Sequence, residues 1–145
     1  MKNRNLTHSD CWATPPEFYN SLDKEFGFDF DPCPLRDPET ITPETDGLLI
    51  DWGNMNFVNP PYKLPLKTAF VKKAIEEQKK GRTSVMLLPV STSTVLFHDY
   101  IKPNAEEIRF VRGRIKFIGT NTFGETVNKN AGMHDSMVVV LRGHK

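Results

Sequence analysis

Apolar residues along the chain recur at two spacings, and the switching between them lays out a series of short strands and helices. After Trp12-Ala13-Thr14-Pro15-Pro16-Glu17 the pattern predicts a helix running to about Phe26. Thr14 suits the N-cap, Pro15 the first helical position and Glu17 the far side of a capping box, while Gly27 stands as a stop. Phe28-Asp29-Phe30-Asp31 alternates apolar and acidic residues before Pro32-Cys33-Pro34 breaks the chain, which predicts a short strand with a tight loop at its carboxyl end. Residues 35–53 are rich in Pro, Thr, Asp and Gly and predict loop, with one weak strand at Leu48-Leu49-Ile50. Met55-Asn56-Phe57-Val58 predicts a strand that ends at Asn59-Pro60-Pro61-Tyr62, because consecutive prolines cannot donate ladder hydrogen bonds.

From Pro65 to Lys80 the residues Leu66, Phe70, Ala74 and Ile75 share one helical face, opposite Lys67, Lys72, Lys73, Glu76 and Lys80, and Gly81 ends the helix. The lysines at 67, 72, 73, 79 and 80 read as its wet face. Val85-Met86-Leu87-Leu88 is a continuous apolar run, the mark of a parallel strand buried on both faces, and Pro89 closes it. A helix is predicted from about Thr94 to Ile101, then strands at 108–111, 115–118 and 137–140, with a Gly- and Asn-rich loop between 119 and 135. Strands alternating with helices imply an α/β fold, a three-layer sheet whose helices cover both faces. Ligands in such sheets bind beyond the carboxyl ends of the strands, so the Asp31–Pro34 and Asn59–Tyr62 segments should share one cleft.

Composition narrows the setting. A chain of 145 residues has the length of one domain, so residues 1–145 are expected to act as a single unit with 1–10 as a flexible tail. At 38% hydrophobic and 26% charged it is ordinary for a soluble globular protein, with no segment apolar enough to span a membrane. MKNRNLTHSD lacks the apolar core of a signal peptide, which points to the cytoplasm. The two cysteines, Cys11 and Cys33, offer neither a disulfide framework nor a zinc spacing, and no metal is expected. A net charge of +1 argues against a polyanion-coating protein but permits a local basic face.

The distinctive chemistry lies at residues 59–62. An exocyclic amine on an aromatic base is a poor nucleophile because its lone pair is delocalised into the ring. Two acceptors that bind both amine hydrogens would pyramidalise the nitrogen and aim the lone pair at an electrophile. The Asn59 side-chain oxygen and the Pro60 carbonyl suit that task, and Pro60 and Pro61, with fixed φ and no N–H, hold the acceptors rigidly. Tyr62 supplies a flat surface for an extruded base, a contact worth about 1–3 kcal/mol that helps offset the cost of base flipping.

Asn59-Pro60-Pro61-Tyr62 after an apolar strand resembles the catalytic motif of amino-methyltransferases, [DNS]-P-P-[YFW]. Trp12–Glu17, the Phe28–Asp31 strand with Pro32-Cys33-Pro34, and Gly113-Arg114-Ile115-Lys116-Phe117 further resemble the small phage-type DNA N-6-adenine methyltransferases, the Dam-like family, from about residue 10 to residue 141. The resemblance implies a minimal Rossmann-like, S-adenosylmethionine-dependent domain without a separate target-recognition domain, transferring methyl directly to N6 of adenine in double-stranded DNA. It also implies that Asn59, Pro60, Pro61 and Tyr62 form the catalytic motif, that Trp12, Thr14 and Pro15 pack around S-adenosylmethionine, and that Asp31, with Pro32 and Cys33, lies near its methionine amino group. Asp46 or Asp51 is a candidate for a cofactor hydroxyl. One departure is that Pro32-Cys33-Pro34-Leu35-Arg36 lacks the glycine-rich turn of larger adenine methyltransferases; the cofactor carries no phosphate to cradle, so such a turn is helpful rather than obligatory.

Plainer readings stand beside these. Asp31 equally suits a turn-forming aspartate before proline, and Trp12 a packing aromatic. Arg112 and Arg114, with Arg109 and Lys116, suit contacts to DNA phosphate or a guanine edge, or a charged edge strand that resists aggregation. His134-Asp135-Ser136 fails as a hydrolase triad, since consecutive residues cannot reproduce triad geometry, and His8 and His98 lack ligand-spaced partners. A chain this small has few places for base readout, chiefly near 91–105 and 119–135, so sequence specificity should be low or require a homodimer. Two rival functions remain: an amino-methyltransferase acting on RNA adenine or a protein glutamine, and a non-catalytic nucleic-acid-binding relic of the fold.

Overall fold

A computed structural model describes residues 12–34, 41–61, 64–115, 118–120, 126–128 and 135–145. Its elements are β1 (Trp12–Ala13), α1 (Pro16–Phe26), β2 (Met55–Val58), α2 (Leu64–Lys79), β3 (Thr83–Pro89), a π-helix (Leu96–Ile101), α3 (Lys102–Asn104), β4 (Glu107–Phe110), β5 (Ile118–Thr120), β6 (Thr126–Asn128) and β7 (Ser136–Leu141). Together they make a small α/β fold around a mixed four-stranded sheet of order β2-β3-β7-β4.

The sheet is not parallel throughout. β2 and β3 run parallel, joined by α2 as a crossover, whereas β7 inserts between β3 and β4 and is antiparallel to both. Every residue of β3 and β7 is buried, as the unbroken apolar run of β3 requires. Pro89 closes β3 as its last residue, paired with Ser136 at the end of the ladder.

Period-2 alternation sorts the core onto two faces. Val58, Met86, Leu88, Met137, Val139 and Leu141 pack against Phe70, Val71, Ala74 and Ile75 of α2 and Ile101 of the π-helix. Phe57, Val85, Leu87 and Val138 face the other way, against Leu22 and the half-buried Phe18, Tyr19 and Phe26 of α1. The residues of α2 and of α1 thus belong to different core clusters.

Several local expectations are corrected. Thr14 and Glu17 form no capping box: the helix begins one residue later, with Pro15 as N-cap at φ −57° and ψ 139° and Pro16 inside the first turn. Gly27 ends the helix in the left-handed region at φ 69°, as expected of a glycine stop. Phe28–Asp31 is not a full strand; it meets β2 through one parallel bridge, Phe30 with Asn56. Leu48–Ile50 forms turns instead of a strand, because the Asp46 carboxylate accepts the Leu48 N–H at 2.9 Å and the Asp46 carbonyl accepts the Leu49 N–H. Residues 94–101 are helical, but the turn widens to π over 96–101, just before Pro103, which cannot donate to the Asp99 carbonyl. Within the expected 119–135 loop, β5 and β6 pair antiparallel, and β1 joins them as the third strand of a second small sheet.

α2 also departs from a simple wet-and-dry split. Glu77 is fully buried on the face that carries Phe70 and Ala74, and Lys73, its partner at 3.5 Å, keeps a side chain only 13% exposed. Lys67 is half-buried as well, and burial pushes its ammonium pKa below the ordinary lysine value.

Candidate active site

The chain segments that lead into the first two site segments run side by side. Asp29 N–H donates to the Met55 carbonyl at 2.9 Å and Phe57 N–H to the Phe30 carbonyl at 3.0 Å, so the 28–30 segment runs alongside β2 in the same direction. Their carboxyl ends therefore lead to the same edge of the sheet, one into Asp31-Pro32-Cys33-Pro34 and the other into Asn59-Pro60-Pro61. Asp29 secures this alignment, its carboxylate accepting the backbone N–H of Met55 at 3.0 Å and of Asn54 at 3.3 Å.

Asp31 itself is half-buried, and its carboxylate accepts the Cys33 N–H at 2.8 Å. This is the turn-forming role its sequence suggested. Asn59 is half-buried at the end of β2, and Pro60 and Pro61 are both buried. Its side-chain Nδ2 donates to Thr14 Oγ1 at 3.1 Å, across 45 positions of sequence. Thr14, released from the capping role, thus joins the segment before α1 to the end of β2. Tyr62 and Lys116 lie outside the described residues, and the backbone pairing of Trp12 and Ala13 with β5 makes that segment a strand of the second sheet.

The acidic candidates separate. Asp46 is 1% exposed, in the turn that carries Gly47 against Pro32. Asp51 is not brought to this end at all. It lies before β2, with Lys80 Nζ at 3.2 Å and Arg82 at 3.8 Å, beside the end of α2 and the start of β3. Asn59 follows the opposite end of β2.

Sequence reasoning missed what holds the Pro32 turn. A Cβ on Gly47 would stand 1.9 Å from the Pro32 carbonyl oxygen, so only glycine permits this approach. The Gly47 carbonyl accepts the indole N–H of buried Trp52 at 2.7 Å, and the Trp52 backbone N–H donates to Glu77 at 3.0 Å. A rigid strut thus runs from α2 to the candidate cofactor loop. Gly47→Ala is expected to force the two turns apart, costing about 1–3 kcal/mol of stability. A thermal melt would show this; a variant as stable as the parent would mean the contact yields freely.

A small cavity of about 30 Å³ opens beside the carboxyl end of β3, lined by Leu88, Pro89, Lys67, Thr94, Leu96 and Met137 among others. The basic candidates lie elsewhere. Arg109 is occupied by Glu25, at 2.6 Å, and by Glu107, tying α1 to β4. Arg112 and Arg114 are exposed around Gly113, whose φ of 74° makes a bend there, at the expected junction between strands. Arg114 approaches Asp135 at 3.4 Å. Among the described residues, no group of three or more His, Cys, Asp and Glu side chains is placed to hold a metal ion, and no helix is long and apolar enough to cross a membrane.

Comparison with known proteins gives this arrangement its context. The family model described as DNA N-6-adenine-methyltransferase (Dam) matches residues 2–145. A DNA N-6-adenine-methyltransferase of Haemophilus phage HP1 (strain HP1c1) is 37% identical over 137 residues, which cover 88% of this chain and 78% of the relative. A second DNA N-6-adenine-methyltransferase, from Escherichia phage T1, is 30% identical over 155 residues, covering 92% of this chain and 63% of that protein. No solved structure matches the chain. With the family model spanning nearly every residue and a phage relative 37% identical, the chain belongs to the DNA N-6-adenine-methyltransferase (Dam) family.

Proposed function

We propose that the chain transfers a methyl group to N6 of adenine in DNA, with S-adenosylmethionine as donor. The observation that carries this reading is the parallel run of the 28–30 segment with β2, which leads the Asp31 turn and Asn59-Pro60 toward one end of the sheet, in a chain of this family. It fits the Rossmann-like, three-layer methyltransferase arrangement, acting as one domain in the cytoplasm.

The residues at that end suit the donor. Its ammonium calls for an anionic acceptor, and Asp31 is a half-buried carboxylate at the end of the strand-like segment. Trp12, Thr14 and Pro15 would flank it, Pro32 and Cys33 would form the near wall, and buried Asp46 supports that wall from behind. S-adenosylmethionine, when bound, supplies a methyl group on a sulfonium cation. The chain's own work is to present the amine. Asn59 Oδ1 and the Pro60 carbonyl accept its two hydrogens, which localises the lone pair and strengthens as positive charge grows on nitrogen. Buried Pro60 and Pro61 keep these acceptors in place, and Tyr62 would stack on the flipped base. The methylated nitrogen is acidic, so its surplus proton passes to water without a dedicated base. Exposed Arg112 and Arg114, with Lys116, would contact the DNA backbone, and a homodimer would widen the readout surface.

Transfer of radiolabelled methyl from S-adenosylmethionine to unmethylated duplex DNA tests the reading, with nucleoside mass spectrometry identifying the product. N6-methyladenine is the expected product. Label appearing only in RNA or protein would replace DNA as substrate, and failure to bind the donor would favour a non-catalytic relic.

A further inference from the structure

The hydrogen bond between Thr14 and Asn59 joins two segments of the same design. Each partner stands immediately before a Pro-Pro pair, Thr14 before Pro15-Pro16 and Asn59 before Pro60-Pro61. A residue that precedes proline is confined to extended backbone, and the prolines that follow have no N–H to compete for either side chain. Thr14 is fixed further by β1, whose Ala13 pairs with Ile118, and by its β-branched side chain, which has few χ1 choices. Asn59 is fixed by Val58, fully buried at the end of β2, and by buried Pro60. Both ends of the 3.1 Å bond are therefore held before they meet.

An asparagine amide is planar, with the oxygen and nitrogen diverging from one carbon. Turning it over exchanges an acceptor for two donors, and a donor aimed at the hydrogens of an amine would repel them. The amide of Asn59 binds a target amine only in one of its two orientations. In the structure Thr14 Oγ1 accepts from Nδ2, which leaves Oδ1 on the side of the amide away from Thr14.

We propose that Thr14 is a positioning residue for methyl transfer: its hydroxyl holds Asn59 Nδ2 so that Asn59 presents Oδ1 to the target amine. The inference rests on the reading of Asn59 as the amine's acceptor. It is separate from the packing of Thr14 beside the donor, which the shape of the side chain supplies and Thr14→Val keeps; the hydroxyl acts on the turnover step and not on donor affinity.

The test is steady-state kinetics of Thr14→Val, which keeps the shape and loses the hydroxyl, and Thr14→Ser, which keeps the hydroxyl, with donor binding measured separately by calorimetry. Thr14→Val is expected to lower kcat on DNA by roughly tenfold to a hundredfold, with KM for donor and DNA within about twofold of wild type. Thr14→Ser should recover most of the loss. Thr14→Ala carries the same expectation as Thr14→Val and replaces it should valine disturb folding, which a thermal melt reveals. An unchanged kcat in Thr14→Val overturns the proposal. So does a loss confined to donor KM and affinity, which would make Thr14 a cofactor contact, or a serine variant as impaired as valine, which would assign the effect to packing. Wild-type protein that leaves adenine unmethylated would instead remove the reading of Asn59, and it shows before any variant is compared.

Discussion

Asn59→Ala is expected to lower kcat for DNA methylation by roughly a hundredfold to a thousandfold, the usual cost of deleting one preorganised hydrogen-bonding group aimed at developing charge. The fold should survive, since Asn59 is half-buried at the end of β2 while Val58, Pro60 and Pro61 around it supply the packing. Donor affinity should stay close to wild type, because the substitution removes an acceptor for the base and leaves the Asp31 turn intact. Asn59→Asp keeps an acceptor oxygen and should fall between the two. Radiolabel transfer, a melting curve and donor titration on the three proteins separate these effects. Full activity in the alanine variant would remove Asn59 from the reaction, whereas loss of donor binding would move it into the cofactor site.

The second large effect concerns stability. Glu77 is fully buried, yet it stays ionised: burial alone would raise its pKa, but hydrogen bonds from Arg82 at 2.6 Å, the Trp52 backbone N–H at 3.0 Å and Lys80 at 3.1 Å, with Lys73 nearby, outweigh it and hold the value at about 2. A carboxylate with a depressed folded-state pKa contributes stability above its unfolded pKa, and that contribution disappears as pH falls through the folded value. From an ordinary value of 4.5 down to about 2, the loss amounts to on the order of 3 kcal/mol. Glu77→Ala should cost about 3–5 kcal/mol at neutral pH, because it leaves the Trp52 N–H without its acceptor and three cations without their shared anion. Urea unfolding across this acid range gives the check. Glu77→Gln should be less stable than wild type at pH 7 and should flatten the acid dependence between pH 4.5 and 2. An identical acid profile in that variant would show that other carboxylates govern acid unfolding.

The elements with strong periodicity and clear punctuation were legible in the sequence. α1 ends at Gly27, α2 fills nearly its expected range, and the apolar runs of β2, β3 and β7 form the sheet. Strand direction was not legible, since nothing local in Ser136–Leu141 distinguishes an antiparallel insertion from a parallel edge. Thr14 misled because its neighbours offer a good helix start, and the choice between capping and bonding Asn59 is decided by tertiary contact. Asp51 misled for the opposite reason, as a plausible carboxylate placed by the chain at the wrong end of β2. Glu77 was within reach: it lies three residues after Ala74 and seven after Phe70, on the helical face that the apolar pattern had already marked for burial. The Asn59-Pro60-Pro61 signal succeeded because a pair of prolines after an apolar strand allows little besides a rigid strand end.

The position of β7 between β3 and β4 leaves the protein exposed for part of its own synthesis. All of β3 is in place, with α2 beside it, well before residues 136–141 follow. Until they dock, the Thr83–Pro89 strand offers a bare hydrogen-bonding edge flanked by side chains that only a finished core would cover, a ready template for pairing with another unfinished chain. Nascent or truncated forms that stop short of Ser136 would therefore be the forms in greatest need of a chaperone, even though they already contain Thr14, Asp31 and Asn59.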